Sequence, residues 1–306
     1  MRASFQVSDG YNPRSTLIPV ARLHGITSAT VHPSDGLVSG QVAWVNLAGD
    51  SQAEAVKADS VGMVAGQNWM QLADLFEEVR GYARNRSSYD QNRSRLSYPV
   101  RQLRSLLPVV QGERPLLISV NRASDIEAAI RFQEQERIRL ILVGAAEGWR
   151  LGKQLAEANI PVIVDPFMNA PASFDQVGGR ADNAKLLVEQ GVDVVIASFQ
   201  THNARVLRQV AGNAVRAGLS SKAALDAVSS TPAAVFGMTD YGQLAPGYVA
   251  NIVVWSGDPF ELRTSADVVM IEGKITPKTS RQIQLMERYR QLPGTPNTAL
   301  EYPKRP

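Results

Sequence analysis

The chain has 306 residues, of which 44% are hydrophobic and 20% are charged, and its formal net charge is +3. This composition is typical of a folded protein with one large α/β domain or two smaller ones, and it argues against an intrinsically disordered chain. Cysteine is absent, which excludes disulfides, thiolate nucleophiles and cysteine-based zinc sites.

Short apolar runs recur along the chain and predict buried strands. They are GITSATVHP from Gly25, PLLISV from Pro115, RLILVG from Arg139, PVIVDP from Pro161 and DVVIASF from Asp193. Helical patterns lie between the later runs: ASDIEAAIRFQEQERI, GWRLGKQLAEAN and ADNAKLLVEQG, the last closed by Gly191. This alternation predicts a parallel sheet covered by helices, and a repeat of about 25 residues favours a (β/α) barrel over an open sheet.

Two regions break the alternation. The stretch GQVAWVNLAGDSQAEAVKADSVGMVAG, from Gly40, predicts a hairpin inserted after the first strand, with Gly49 and Asp50 in its turn. The helical pattern WMQLADLFEEVRGYAR then leads into an Arg- and Ser-rich connector that we expect at the surface. Near the C-terminus, NIVVW and DVVMIEG predict a small β appendage, which an Arg- and Gln-rich helix follows.

Parallel barrels place functional side chains at the carboxyl ends of their strands. At those ends this sequence has seven candidate pocket residues, namely His32, Ser119, Asn121, Arg122, Asp165, His202 and Asn203. Asp165 precedes a proline and also fits a turn former. The histidines lack the His-x-His and His-Glu-x-x-His spacings that chelate a metal, and they fit loop packing equally well. No Gly-x-Ser-x-Gly elbow or P-loop supports a serine or nucleotide hydrolase.

Six segments, in this order, resemble the imidazolonepropionase-like branch of the amidohydrolase superfamily. They lie between about Asn12 and Lys274: GITSATVHPSDGLVSGQ, NRASDIEAAIRF, RLILVGAAEGW, PVIVDPFMNAPASFD, SFQTHNARVLRQVAGNAV, and STPAAVFGM with YGQLAPGYVANIVVWSGDP. The most specific part is Thr231-Pro232-Ala233 followed by Gly242, Leu244, Pro246 and Gly247. The resemblance implies a distorted (β/α)₈ barrel with a small β-sandwich. It also implies hydrolysis of C–N bonds in cyclic or peptide-like amides, with one or two divalent metals such as zinc.

The predicted fold class is therefore α/β. We expect a (β/α) TIM-like barrel of the metal-dependent hydrolase type that lacks its first strand, with a remnant of the β-sandwich. The barrel is expected over residues 1–240, the sandwich remnant over 241–277, and a C-terminal helix and tail over 278–306. Such a chain is either a fragment of a longer hydrolase or a diverged, metal-poor relative.

The resemblance also implies where metal ligands would stand. The family has His-x-His on its first strand, histidines at the ends of the fifth and sixth, and an aspartate at the eighth. This chain begins just before the counterpart of the second strand, and the later positions align with Ser119, Gly144 and Phe199. None of these side chains replaces imidazole or carboxylate as a ligand for such a cation.

Three hypotheses about function follow. The first is C–N bond hydrolysis that is impaired because ligands are missing, with no bound cofactor expected. The second is a catalytically silent binding or regulatory module on the same barrel. The third is a residual metal site built from His32, Asp165 and His202.

Phe199 stands where the family has its aspartate. We expect its ring to fill the vacated space by apolar packing. If the alignment is shifted by one or two residues, Gln200 or His202 takes that position instead.

The expected partner is a small-molecule substrate or ligand. Basic and acidic residues are interspersed, so no nucleic acid is expected, and no apolar run is long enough for a membrane span. The first residues lack the apolar core of a signal peptide, which predicts a cytoplasmic protein, or a periplasmic or secreted one if a longer precursor exists.

A missing first strand leaves the edges of GITSATV and DVVIAS unpaired. The segment ASFQVSD, another chain or direct closure would fill the gap, and we favour self-association or pairing with a missing N-terminal segment.

Overall fold

A computed structural model describes residues 2–91, 97–167 and 171–290. Its strands are β1 (Ser28–Val31), β2 (Val38–Asn46), β3 (Val56–Ala65), β4 (Leu116–Val120), β5 (Leu140–Gly144), β6 (Val162–Val164), β7 (Val194–Ile196), β8 (Ile252–Trp255), β9 (Ala266–Ile271) and β10 (Lys274–Ile275).

The helices include the predicted ones and several more. They are α1 (Leu17–Leu23), α2 (Gln52–Ala55), α3 (Trp69–Arg84), α4 (Arg86–Gln91), α5 (Val100–Val110), α6 (Ala123–Glu136), α7 (Gly152–Glu157), α8 (Asn183–Glu189), α9 (Leu207–Arg216), α10 (Ser221–Ala227), α11 (Ser230–Val235) and α12 (Arg281–Arg290). Short 3₁₀ helices span Val7–Gly10, Gly148–Arg150, Phe174–Gln176 and Thr201–Val206. None of the described helices is both long and apolar enough to cross a bilayer.

The first seven strands form one sheet in chain order, and the last three form a second, antiparallel sheet. In the large sheet β1, β2 and β3 are antiparallel, whereas β3 to β7 are parallel and curl into a half-barrel. Among the described residues β1 and β7 do not pair with each other, so the full barrel that the sequence predicted is not observed.

The prediction that GITSATV forms a strand of the barrel is wrong. Its strand, β1, has four residues and lies antiparallel to β2 at the sheet edge, so it is not a barrel strand. The first parallel strand is β3, which the sequence placed in an inserted hairpin. The hairpin itself is confirmed, but β3 continues beyond it, and Met63–Ala65 pair in parallel with Leu116–Ile118. The alternating sequence of β3 cannot reveal that the strand also pairs with β4, because side chains alternate in the same way in parallel and antiparallel strands.

The N-terminal segment covers the part of the β2 edge that β1 leaves open. The Arg2 N–H donates to the Val38 carbonyl at 2.8 Å, and Gln6 forms a parallel bridge with Gln41. The segment ASFQVSD thus pairs with β2 and does not fill the gap between the edges of β1 and β7 that was considered for it.

The parallel strands β4 to β7 each have two buried faces, as their continuous apolar sequences predict. In β4, Leu116, Ile118 and Val120 pack against the helices. Leu117 points to the concave side and belongs to a cluster with Ile141, Ile163 and Val195. We call these four side chains the concave layer. They are covered by Ala233, Val235, Phe236 and Tyr241, so the α11 region fills the lower part of the half-barrel.

A buried polar network joins the two sheets. The Asn46 side chain is fully buried, donates to the Tyr241 hydroxyl at 3.2 Å, and accepts from Ser28 Oγ at 2.8 Å and from Asn251 Nδ2 at 3.2 Å. Burial raises the pKa of Tyr241, which keeps its hydroxyl protonated. Both of the Asn46 polar atoms are thereby satisfied.

The predicted β appendage and C-terminal helix are present as β8, β9 and α12. The appendage shares an apolar cluster with β1 and α1, so its packing crosses the predicted division at residue 241. In the Arg- and Ser-rich connector, α4 accounts for the first part. Residues 92–96 and the tail at 291–306 lie outside the described residues.

Candidate functional site

A cavity of about 60 Å³ lies at the carboxyl ends of the parallel strands. This volume holds a few water molecules, or the head group of a small ligand. We call it the mouth cavity, and its principal lining residues are Asn121 after β4, Gly144 in β5, Asp165 after β6, Phe199 after β7, Arg180 and Asn183.

Asp165 is the carboxylate among these residues. Its Oδ1 accepts the N–H of Phe167 at 2.9 Å, which confirms the turn-forming role predicted for it. Burial raises the pKa of Asp165, and the Phe167 N–H opposes that shift only in part. A carboxyl group with a raised pKa at a strand end is the kind of group that takes part in proton transfer.

Asn121 is fixed by the loop that follows β6. Its Nδ2 donates to Asp175 Oδ2 at 2.7 Å, while Ser173 Oγ donates to the other carboxylate oxygen. The Ser173 and Asn121 hydrogen bonds hold the pKa of Asp175 below its usual range. The side-chain oxygen of Asn121, Oδ1, therefore lies beside Gly144.

Gly144 stands where the resemblance implies a histidine. Its φ is 95°, and a Cβ there would lie 2.6 Å from Asn121 Oδ1 and 3.2 Å from the Val120 carbonyl oxygen. Because both the backbone conformation and the space exclude a side chain, an imidazole cannot replace this glycine without a local rearrangement.

The expectation that the Phe199 ring fills interior space by apolar packing is wrong. Its ring is 46% exposed and lines the mouth cavity, so it does not fill the interior. The interior below is already occupied by Phe236 and Tyr241. Phe199 also has φ 48°, and Ala145 after β5 has φ 45°. Non-glycine residues in this left-handed region carry local strain of a kind often found at functional sites.

Arg180 brings a positive charge to the cavity, but that charge is already paired. Its Nε and one terminal nitrogen each donate to the Asp182 carboxylate at 2.7 Å. This hydrogen bonding raises the pKa of Arg180 and lowers the pKa of Asp182. The Arg180 guanidinium carbon also lies 4.8 Å from the centre of the Trp149 ring, and that of Arg150 lies 4.3 Å from it.

Of the seven candidate residues, the structure brings Asn121 and Asp165 together. Ser119 is exposed on the concave side but is not part of the cavity lining, and Arg122 is an exposed residue at the start of α6. His202 is exposed and Asn203 is half-buried in the 3₁₀ helix after β7, where Asn203 Nδ2 donates to Gln200 Oε1 at 2.8 Å. Neither Gln200 nor His202 lines the cavity, so a shifted alignment does not restore a ligand there.

His32 lies at a different level of the sheet. It follows Val31, which pairs with Ala43, while the neighbouring pairs match Val42 with Gly62 and Met63 with Leu116. The sheet register therefore places His32 level with the beginning of β4, and the mouth cavity lies beyond the end of that strand.

The residues at the mouth do not fit a divalent metal. Among the described residues, no group of three or more histidine, aspartate or glutamate side chains is placed to hold one, so His32, Asp165 and His202 do not form such a site. The resemblance aligns the family's ligand positions with Ser119, Gly144 and Phe199. These residues offer a hydroxyl group, no side chain and a phenyl ring, whereas zinc requires imidazole, thiolate or carboxylate donors. We therefore derive no chemical step through a metal.

Sequence reasoning missed the lining residues that come from the loop after β6 and from the start of α8, among them Gln176, Gly179, Arg180 and Asn183. The signal was the length of the segment between β6 and α8, because irregular segments of this length in compact domains are usually functional or disordered.

Comparisons with known proteins agree with this architecture. The amidohydrolase family profile matches residues 141–276, and no curated protein matches the chain. An amidohydrolase from Thermotoga maritima MSB8 is 22% identical with a TM-score of 0.82, over 90% of this chain and 78% of that one.

Two further structures are more distant. A second amidohydrolase is 16% identical over 60% of this chain and 49% of that one, with a TM-score of 0.43. An uncharacterized metal-dependent hydrolase from Pyrococcus furiosus is 14% identical over 53% and 36%, with a TM-score of 0.39. The fold assignment therefore depends on the Thermotoga structure. The amidohydrolase family match therefore applies to residues 141–276, and the Thermotoga structure shows that the chain shares the fold of an amidohydrolase.

Proposed function

We propose that this chain binds small amides at the mouth cavity and that its hydrolysis of their C–N bonds is impaired. The observation that carries the proposal is Asp165, a half-buried carboxyl group with a raised pKa in a cavity at the end of a parallel strand. The family match over residues 141–276 supports the reaction class, and the imidazolonepropionase-like resemblance supports a cyclic or peptide-like amide.

The expected rate follows from the chemistry of a single carboxylate. Ionised Asp165 would take a proton from a water molecule that attacks the amide carbon, and would return it to the leaving nitrogen as the C–N bond breaks. One general base contributes about 10²- to 10⁴-fold, whereas complete enzymes reach at least about 10⁶-fold. Turnover without metal ligands is therefore expected to be slow.

A second candidate is a binding or regulatory module without turnover. It is favoured by Ser119, Gly144 and Phe199, none of which supplies the imidazole or carboxylate ligand that zinc takes in hydrolytic sites. In both cases we expect no tightly held zinc. Self-association also remains a proposal, since the outer edges of β1 and β7 have no strand partner among the described residues.

The test combines binding, turnover and metal content in the purified chain. We expect small amides, among them hydantoin and N-acetylglycinamide, to shift the NMR amide signals of Gly144 and Gly179. Slow product formation that Asp165→Asn abolishes would support impaired hydrolysis, and binding without product would support the second candidate. No shift at these signals with any amide would contradict the proposal. About one zinc per chain by elemental analysis would contradict the expected absence of metal.

A further inference from the structure

The hydrogen-bonding groups of the mouth cavity are unequally used, and two acceptor oxygens among them are free. Asp165 Oδ1 accepts the Phe167 N–H, whereas its Oδ2 has no hydrogen-bond partner among the described residues. Asn121 donates through Nδ2 to Asp175, while its Oδ1 lies beside Gly144 in the cavity wall. Two acceptor oxygens are therefore available to a ligand.

Two side chains of the cavity that carry donors, Arg180 and Asn183, are held by neighbouring residues. Arg180 is held by both oxygens of Asp182. Asn183 donates to the Ala145 carbonyl at 3.0 Å and accepts the Trp149 N–H at 2.9 Å. An anionic ligand would therefore meet a guanidinium that Asp182 already neutralises, and it would lie beside the like-charged carboxylate of Asp165.

Asp165 also lacks a cation of its own. The influences on its pKa are burial and the Phe167 N–H, and among the described residues no positive group contributes. Arg180 is the other charged residue that lines the cavity, yet it does not act on this carboxyl group. A half-buried carboxylate without a counter-ion gains from a cation that enters the cavity, because the local dielectric constant is below that of water.

The Phe199 ring adds a second feature that suits a cation. It is half-exposed and lines the same cavity as Asp165. The face of an aromatic ring attracts an ammonium group that comes within about 6 Å of its centre.

We propose that the mouth cavity selects ligands with a protonated amine, which Asp165 and Asn121 bind through their free oxygens. The small cavity volume limits the bound group to a primary ammonium or one of similar size. This inference depends on the proposed function, since it names the class of amide that the same site takes: a small amide with an amino group.

Three probes of similar size test the charge preference, namely glycinamide, propionamide and oxamate. Glycinamide and propionamide have the same number of heavy atoms and differ by an ammonium in place of a methyl group. We expect glycinamide to shift the NMR signals of Gly144, Ala146 and Gly179 with an affinity at least about ten-fold higher than that of propionamide, as one charge-assisted hydrogen bond allows. Oxamate is expected to bind more weakly than either.

Two matched variants test whether Asp165 causes the preference for glycinamide over propionamide. Asp165→Asn has the same shape and should abolish the ten-fold preference, while Asp193→Asn, an exposed aspartate at the opposite end of the sheet, should leave it unchanged. Equal binding of glycinamide and propionamide at the mouth would overturn the charge preference and leave the proposed function standing. Absence of binding by all three probes would overturn both. A preference retained in folded Asp165→Asn would overturn the role of this carboxylate.

Discussion

The concave layer and the mouth cavity belong to the same four strands and lie two to four residues apart in sequence, yet they differ in burial and in polarity. Leu117, Ile141, Ile163 and Val195 are buried beneath the α11 region, with at most 7% of any side chain exposed. At the strand ends the side chains are polar or half-exposed, and two non-glycine residues have left-handed backbone conformations.

This difference shows where the half-barrel obtains its stability and where it is free to vary. The concave layer is closed by apolar contacts that do not depend on a bound ligand. The mouth depends on a few hydrogen bonds in a loop, so an exposed side chain there, such as Phe199, can be exchanged with little effect on the fold. Exchange of side chains at the mouth is therefore compatible with an intact sheet.

The largest effect is expected in the concave layer. Ile141→Ala should lower the free energy of unfolding by about 2–5 kcal/mol, because it removes buried atoms that the surrounding strands cannot replace. Val143→Ala, one step closer to the mouth and only half-buried, should have a smaller effect. Chemical denaturation measures the free energy of unfolding of both variants. Equal losses of stability would show that the concave layer and the positions nearer the mouth do not differ.

The glycine at the mouth is the next test. Gly144→Ala should lower the free energy of unfolding by about 1–3 kcal/mol, because the methyl group meets Asn121 Oδ1 and the backbone is left-handed. Gly247→Ala is the control, since Gly247 has φ 88° with no atom within 4 Å of the added carbon. If both variants lose the same stability, the contact with Asn121 contributes nothing and the mouth is less tightly organised than its geometry indicates.

A smaller, pH-dependent effect is expected at Asp165. Because burial raises its pKa, the folded chain binds this proton more tightly than the unfolded chain, and stability falls as the pH rises from the unfolded pKa through the folded pKa. Asp165→Asn should therefore raise the Tm at neutral pH, and the gain should disappear as the pH falls below both values. Thermal unfolding across this range measures it, with Asp193→Asn as the control. A variant less stable than the parent at neutral pH would show that ionised Asp165 stabilises the fold.

The smallest effect is expected at Phe199. Phe199→Asp should change the free energy of unfolding by no more than about 0.5 kcal/mol, because the ring is half-exposed and aspartate tolerates the left-handed conformation. The variant should not gain zinc-dependent amide hydrolysis, since one carboxylate without imidazole partners leaves the metal under-coordinated. Measurable turnover with added zinc would show that the mouth contains further ligands.

Much of the architecture could be predicted from local pattern. The apolar runs gave four of the five parallel strands, and the i, i+3, i+4 spacing gave α6, α7 and α8 with the left-handed Gly191 after the last. Asn121 and Asp165 were found because they directly follow strands. Arg180 and Asn183 were not, since they reach the cavity from a loop and a helix that only the folded chain brings back to the strand ends.

The sequence by itself determined the four parallel strands of the apolar runs and the helices α6, α7 and α8 between them, because periodicity is a local property. That Ser119, Gly144 and Phe199 stand at ligand positions is what the family resemblance implies. Only the tertiary structure decided that β3 joins the hairpin to the parallel strands and that the α11 region fills the lower interior. The same holds for the exposure of Phe199 to the mouth cavity. Strand partners and the space available to a side chain depend on residues distant in sequence, so no local pattern encodes them.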